Sequence, residues 1–370
     1  MRTLRTARRR RSIEIPLPQQ PTPFSLGFRM PAEWERHEAT WLGWPHERTD
    51  WPGKFDPIPW VYAEIVRHLA RVERVYLLVQ DRAAESRARQ ILKKSHANLD
   101  AVTFFRVPTD RGWMRDSGPL CVKNSAGEVA FTHWQFNAWA KYRNYKRDAA
   151  AVTLVNKHLK HRVWQPLHNG RRVVLEGGSI EVNGRGTLLT TEECLLSRVQ
   201  ARNPGFIRMD MEEIFREYLG ATNILWLGSG IAGDDTHGHV DDLARFVNPT
   251  TVVTVVEEDP QDANYAPLQA NLALLKAMKD QEGRSLRVET LPMPAPVFFE
   301  RQRLPASYAN FYVANKLVLV PLFGDANDRA ALNTLAGLFP GREAVGIPCR
   351  DLVLGLGTLH CMTQQQPAAG

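Results

Sequence analysis

Five times along the chain, a short run rich in β-branched and aromatic residues is followed by an amphipathic stretch and then a second apolar run. The first set predicts a strand over 74–79, a helix over 82–94 and a strand over 102–107. The same order recurs at 129–136, 148–159 and 163–166, and again at 187–191, 211–219 and 223–227. Two more copies lie at 251–257, 267–279 and 286–291, and at 316–322, 328–338 and 343–347. Short apolar runs between turn residues read as strands, and apolar positions three and four apart read as one buried helix face. The units start 55, 58, 64 and 65 residues apart. This is a repeat of structure rather than of sequence, and it argues against one open sheet wound continuously.

A polar or glycine-rich loop follows each second strand. These loops are Trp113-Met114-Arg115-Asp116-Ser117-Gly118-Pro119, Leu175-Glu176-Gly177-Gly178-Ser179, the run 228–242, Ser307-Tyr308-Ala309-Asn310-Phe311, and the run 355–361. If the five units close into a ring, the loops converge on its axis and bring distant residues together. No linker divides the series, so residues 29–368 read as a single α/β domain. Ahead of the first unit, Trp34, Trp41, Trp44, Trp51 and Trp60 alternate with prolines and glycine. That density suits a folded wall or lid, or an aromatic core under a loop.

Composition narrows the class. At 370 residues, with 44% apolar and 24% charged, the chain is globular in type, and no apolar run approaches the roughly 18 residues of a membrane span. The formal charge of +7 is misleading. Arg2, Arg5, Arg8, Arg9, Arg10 and Arg11 supply six positive charges, with no acid among the first twelve residues, which leaves +1 for the rest. The basic signal belongs to a tail; residues 1–28, Arg-rich then Pro-rich, read as a disordered arm, and the body is not a nucleic-acid-binding surface. No h-region follows the basic start, so a secretory signal is not expected. Cys121, Cys194, Cys349 and Cys361 form no C-x-x-C pair, which fits a reducing, cytoplasmic setting.

Three patches carry candidate chemistry. Cys361 follows Gly355 and Gly357, has His360 beside it and a Thr-Gln run behind it, whereas the other three cysteines read as inert small hydrophobes. In Asp235-Thr236-His237-Gly238-His239-Val240-Asp241-Asp242, His239 is a catalytic base, a structural histidine or, with His237, a metal ligand; a structural zinc would need four ligands, and no further close pair is present. On a strand, His237, His239 and Asp241 would share a face. Asp116 is either half of a local salt bridge with Arg115 or a site carboxylate. Two carboxylates facing one buried site are costly unless a cation binds there, and a planar guanidinium with five donors suits them. Thiol, imidazole and paired carboxylates together point to attack on a guanidinium carbon.

On these residues the chain resembles the agmatine deiminase / Porphyromonas-type peptidylarginine deiminase family of the guanidino-group-modifying superfamily. The resemblance runs from Met30 to Pro367, with landmarks at 30–34, 40–45, 50–54, 113–119, 175–179, 186–197, 235–241, 308–315, 323–328 and 360–365. It implies a five-bladed α/β propeller, the pentein fold, built from five β-α-β units around a central active site. It implies Cys361 as nucleophile, His239 as general acid/base, Asp116 and Asp241 as the carboxylates gripping the guanidinium, Trp113 lining the channel, and Glu176 and Asn310 in support. The implied reaction is agmatine plus water to N-carbamoylputrescine and ammonia, a step toward polyamines. No cofactor, metal, nucleic acid or membrane partner is implied, and a homo-oligomer is compatible.

One stretch departs from the family pattern. After Phe136-Asn137-Ala138-Trp139 the family has a glycine pair, but here Ala140-Lys141-Tyr142-Arg143 follows. Pointing inward, Lys141 or Arg143 would repel a distal ammonium and welcome a carboxylate; pointing to solvent, they leave agmatine favoured. Deimination of peptidyl-arginine or another guanidine is the close alternative. Further off stand a propeller that binds without turnover, a nucleic-acid binder using the arm, a zinc hydrolase on His237 and His239, and an amidinotransferase.

Overall fold

The computed structural model describes residues 21–370, so most of the expected arm lies outside the described residues. Ordered packing is already present before residue 29. Phe24–Leu26 form a 3-10 turn, Pro21 O accepts from Trp164 Nε1 at 3.0 Å, and Phe28 is buried edge-on against Trp164.

Each of the five expected units forms a parallel strand pair joined by helical structure. The pairs are Arg74–Val79 with Val102–Arg106, Val129–Thr132 with Arg162–Trp164, Thr187–Thr191 with Asn223–Leu227, Thr251–Val256 with Arg287–Pro292, and Leu317–Leu322 with Glu343–Pro348. Such strands are covered on both faces, which is why they read as near-continuous apolar runs. Thr251–Val256, with four valines in six residues, is buried except at its last position.

The pattern did not disclose the third strand of each sheet. Leu120–Lys123, Glu181–Val182, Ala244–Asn248 and Tyr312–Val313 each add antiparallel to the first strand of a pair. In the remaining sheet, His37–Gly43 runs parallel to Arg74–Val79, and Thr363–Pro367 adds antiparallel to it. The last strand of the chain thus completes the first sheet. Among the described residues there are five separate sheets of three or four strands and two small hairpins, a mixed α/β architecture.

The helices lie where the periodicity puts them. Arg82–Lys94 is capped by Asp81, whose carboxylate accepts from Ala84 N at 2.7 Å, and it ends on Lys93 and Lys94, matching the helix dipole. Ala84, Ala88 and Leu92, four apart, form its buried face. Arg208–Leu219 ends at Gly220 in the left-handed region, φ 69°. The tryptophans mix both readings: Trp41, Trp44 and Trp51 are buried, while Trp60 is 47% exposed. Among the described residues no helix is long and apolar enough to cross a membrane.

Candidate active site

Four short helical turns hold or adjoin the candidate side chains: Met114–Ser117, Gly177–Ser179, Val240–Asp242 and Leu359–Met362. Each lies beyond a strand pair, as the loop pattern predicts. In the first, Ser117 Oγ donates to Trp113 O at 3.0 Å and Gly118 N to Met114 O at 2.9 Å, closing the turn. Asp116 then points away from Arg115, so the local salt bridge is not formed. Arg115 reaches Glu33 at 3.2 Å and Gln365 at 2.8 Å instead.

The loop before Val240 is built on Asp234. Its carboxylate accepts from Thr236 N at 2.7 Å, Gly238 N at 2.7 Å and His239 N at 3.0 Å. His237 and Gly238 have positive φ, 65° and 95°, so this stretch is a loop and not a strand. His237 accordingly faces away, its Nε2 3.2 Å from Ser197 Oγ, and only His239 turns inward.

The structure brings Asp116, His239, Asp241 and Cys361 together. His239 Nδ1 is 3.9 Å from both Asp116 Oδ1 and Asp241 Oδ1, and its Nε2 is 3.8 Å from Glu176 Oε2. Cys361 Sγ is 3.7 Å from Asp241 Oδ2 and accepts from Asn310 Nδ2 at 3.1 Å. The glycines make this convergence possible. A Cβ on Gly178 would lie 2.5 Å from His239 Nδ1 and 3.0 Å from a carboxylate oxygen of both Asp116 and Asp241. A Cβ on Gly357 would lie 3.1 Å from Cys361 Sγ and 3.1 Å from the Trp113 ring.

Secure placement coexists with spare hydrogen-bonding capacity. Asp116 accepts from Trp139 Nε1 at 2.8 Å and Gly178 N at 3.0 Å. Asp241 Oδ2 faces His360 Nδ1 at 2.7 Å, and His360 Nε2 faces Glu33 at 2.8 Å. Asp241 Oδ1 and both His239 ring nitrogens, all buried, have no hydrogen-bond partner within the protein. Buried polar atoms are rarely left so; the free Asp241 Oδ1, with His239 Nδ1 3.9 Å away, describes a place for a ligand with N–H groups.

Burial raises Asp116, with Asp241 and Glu176 adding to it against the pull of His239, and its carboxyl is pushed up to about 6. Burial works against protonation of His239, but Asp116, Cys194 and Glu176 outweigh it and hold the imidazole well above its ordinary range. Burial, then Asp241, Asp242 and Asp116, push the Cys361 thiol well up. Burial also opposes ionisation of Asp241, yet the hydrogen bond and charge of His360 bring it below the usual range. Asp242, beside Asp241, is held well above it, first by burial and then by its neighbour.

A cavity of about 730 Å³ opens above Cys361, Asp116 and Trp113, with Asp50, Arg111, Trp139, Tyr142 and Asp235 in its walls and Phe299–Gln302 at its rim. Trp113 is packed on Trp51 at 5.7 Å and donates to Asp50 at 3.1 Å. Of the expected site residues, Trp113, Asp116 and Cys361 line this cavity; His239, Asp241, Glu176 and Asn310 do not. Glu176 lies behind His239 and pairs with Arg202 at 3.1 Å; Asn310 sits under the thiol, also donating to Asp242 at 2.9 Å. Lys141 and Arg143 are exposed, and Lys141 turns back to pair with Asp235.

Several participants were not read from the sequence. Trp139 orients Asp116; Cys194, read as inert, abuts His239 and Glu176; Glu33 sits beneath the floor. Glu33 and Trp139 fall in recognisable motifs, but nothing local marks their partners. Among the described residues, two buried sets have donor atoms within 4.8 Å of one another, Glu176–Cys194–His239 and Asp241–Asp242–Cys361. The Arg202 guanidinium beside Glu176 opposes a second cation in the first set.

Residues 29–367 match the family profile described as Porphyromonas-type peptidyl-arginine deiminase. The chain is 35% identical to a Yersinia pestis protein provisionally named agmatine deiminase, over 94% of this chain and 98% of that one. It is similar in structure to the agmatine deiminase of Enterococcus faecalis, with TM-score 0.86, 31% identity, and 95% and 98% of the two chains covered. A substrate-bound agmatine deiminase of C. jejuni superposes with TM-score 0.82 at 29% identity, covering 92% of this chain and 97% of the other.

Proposed function

This chain belongs to the Porphyromonas-type peptidyl-arginine deiminase family, and from that premise we propose that it hydrolyses agmatine to N-carbamoylputrescine and ammonia. The observation that carries the reading is the convergence of Asp116, Asp241, His239 and Cys361 on the point that Gly178 leaves clear. Residues 29–368 act as one unit, and the five separate sheets support its reading as a five-bladed propeller with the site at its axis.

Asp116 and the unpartnered Asp241 Oδ1 hold the planar cation by charge-assisted hydrogen bonds. Burial first, and then the carboxylates, keep Cys361 protonated; the cation offsets the carboxylates, so binding itself favours the thiolate. The sulfur attacks the guanidinium carbon, and a C–S bond forms. The C–N bond to a terminal nitrogen breaks as His239 donates its proton, and ammonia leaves a thiouronium on Cys361. Water then attacks the same carbon and His239 takes one of its protons; the C–S bond breaks to release the thiolate as the remaining hydroxyl proton passes to solvent, where ammonia takes it up, leaving the neutral ureido product. Acid–base help of this kind is worth roughly 10²–10⁴-fold. Glu176 and Asn310 support His239 and Cys361 from behind, and Trp113 guides the alkyl chain.

The test is ureido product and ammonia from agmatine, free arginine and a blocked arginine peptide, with Cys361→Ser alongside. Turnover of agmatine that the substitution abolishes is the expected result. Preference for the peptide would move the enzyme to protein deimination, and inactivity on all three would sink both readings.

A further inference from the structure

The stretch that departs from the family pattern lies at the cavity wall and is held under tension. Ala138, Trp139 and Ala140 have φ of 50°, 57° and 54°, left-handed values that residues with a Cβ adopt only at a cost. Trp139 is anchored on Asp116 and Ala140 N on Asn137, and further restraints on this stretch lead to Asp235. Gln200 Nε2 bridges Trp139 O at 3.2 Å and Asp235 O at 3.1 Å. Tyr142 OH donates to Asp235 Oδ2 at 2.7 Å, and the Lys141 ammonium pairs with Asp235 Oδ1.

The partners differ in where they stand. Asp235 and Tyr142 line the cavity that has Cys361 at its floor, whereas Lys141 does not. The Lys141 side chain is 41% exposed and that of Asp235 is 14% exposed, so the ammonium meets the carboxylate from the solvent side. Of the other carboxylates that line the cavity, Asp50 is matched by Arg111, Asp116 lies at the floor, and Glu300 is exposed on the rim stretch 299–302. A cationic tail that enters beside Tyr142 therefore meets a carboxylate whose charge is balanced.

Resting on the deimination reading above, we propose that Lys141 determines specificity at the far end of the substrate. Its ammonium takes the place on Asp235 that a distal ammonium would use, so a cationic tail must displace it. A guanidine with a neutral tail is indifferent to Lys141. The lysine thus weakens binding of agmatine selectively, and because it is partly exposed and flexible it can swing away without disturbing the floor.

The experiment compares wild type, Lys141→Ala, Lys141→Arg and Arg143→Ala on agmatine and on pentylguanidine, its neutral-tailed isostere. An exposed ion pair is worth about 0.2–1 kcal/mol, so Lys141→Ala is expected to lower KM for agmatine by up to roughly fivefold. Its kcat, and its KM for pentylguanidine, stay unchanged; Lys141→Arg and Arg143→Ala keep the wild-type ratio of the two KM values. An unchanged ratio in Lys141→Ala, or an equal loss of kcat on both guanidines, overturns the proposal and leaves the lysine a mere brace. Calorimetric binding of agmatine to Cys361→Ser, with and without Lys141→Ala, reads the same effect independently of turnover. An unchanged Kd there overturns the role of Lys141, whereas absent turnover by wild type overturns the deimination reading alone.

Discussion

Asp116 combines two opposed requirements in one carboxyl. Burial and its acidic neighbours push it up to about 6, yet it must be ionised to hold a cation. Above that value it is charged and below it neutral, so kcat/KM for agmatine should fall as pH drops through about 6, and Asp116→Asn should remove this limb while lowering activity by about 10²-fold or more. The stability effect has the opposite sign. A carboxyl raised on folding contributes stability that is present below about pH 4 and lost as pH rises through the folded value. Asp116→Asn should therefore be more stable than wild type at pH 7, by up to about 3 kcal/mol, and the gain should vanish near pH 4 in denaturant titrations. Gly178 is the other sensitive position. A methyl group there enters the space between His239, Asp116 and Asp241, so Gly178→Ala should cost about 10²-fold in kcat, with only about 1–3 kcal/mol of stability lost on unfolding.

The elements divide by how locally they are determined. The strand–helix–strand units were legible because their apolar residues must alternate or cluster wherever the chain lies in the fold. Leu319, fully buried in Leu317–Leu322 between two partner strands, is such a position, and Leu319→Ala should cost about 2–5 kcal/mol by chemical denaturation. The third strand of each sheet was missed: four are two to five residues long and pair in hairpins with the strand that follows, while the fifth owes its form to a distant partner. That fifth is Thr363–Pro367. Its Thr-Gln run carries no apolar pattern, yet all five residues are buried. Gln366 accepts from Trp41 Nε1 at 3.0 Å and Gln365 from Arg115 at 2.8 Å, so partners far back in the chain satisfy the polarity. The same holds in the site. Cys361, His239, Asp116 and Asp241 stand in recognisable motifs, but which way Lys141 turns depends on Asp235, 94 residues away.

At the scale of the molecule, Glu33 ties the sheets together beneath the site. Its carboxylate meets Arg115 at 3.2 Å, Arg245 at 2.9 Å and His360 at 2.8 Å, and accepts from Val313 N at 2.8 Å. Burial opposes its ionisation, but Arg245, His360 and Arg115 hold it well below the ordinary carboxylate range. Glu33→Gln would leave buried cations uncompensated and should destabilise the protein by about 3–5 kcal/mol on thermal or chemical unfolding. Through His360 the same carboxylate supports Asp241, so the clasp that joins the sheets also fixes one side of the site. The central claim is that this arrangement makes Cys361 a nucleophile toward agmatine. The most direct test is mass analysis of enzyme quenched in acid during agmatine turnover. An adduct of agmatine less ammonia on the peptide carrying Cys361, absent from Cys361→Ser, is the expected result. Turnover that proceeds undiminished in Cys361→Ser, with no adduct on the wild-type protein, would contradict it.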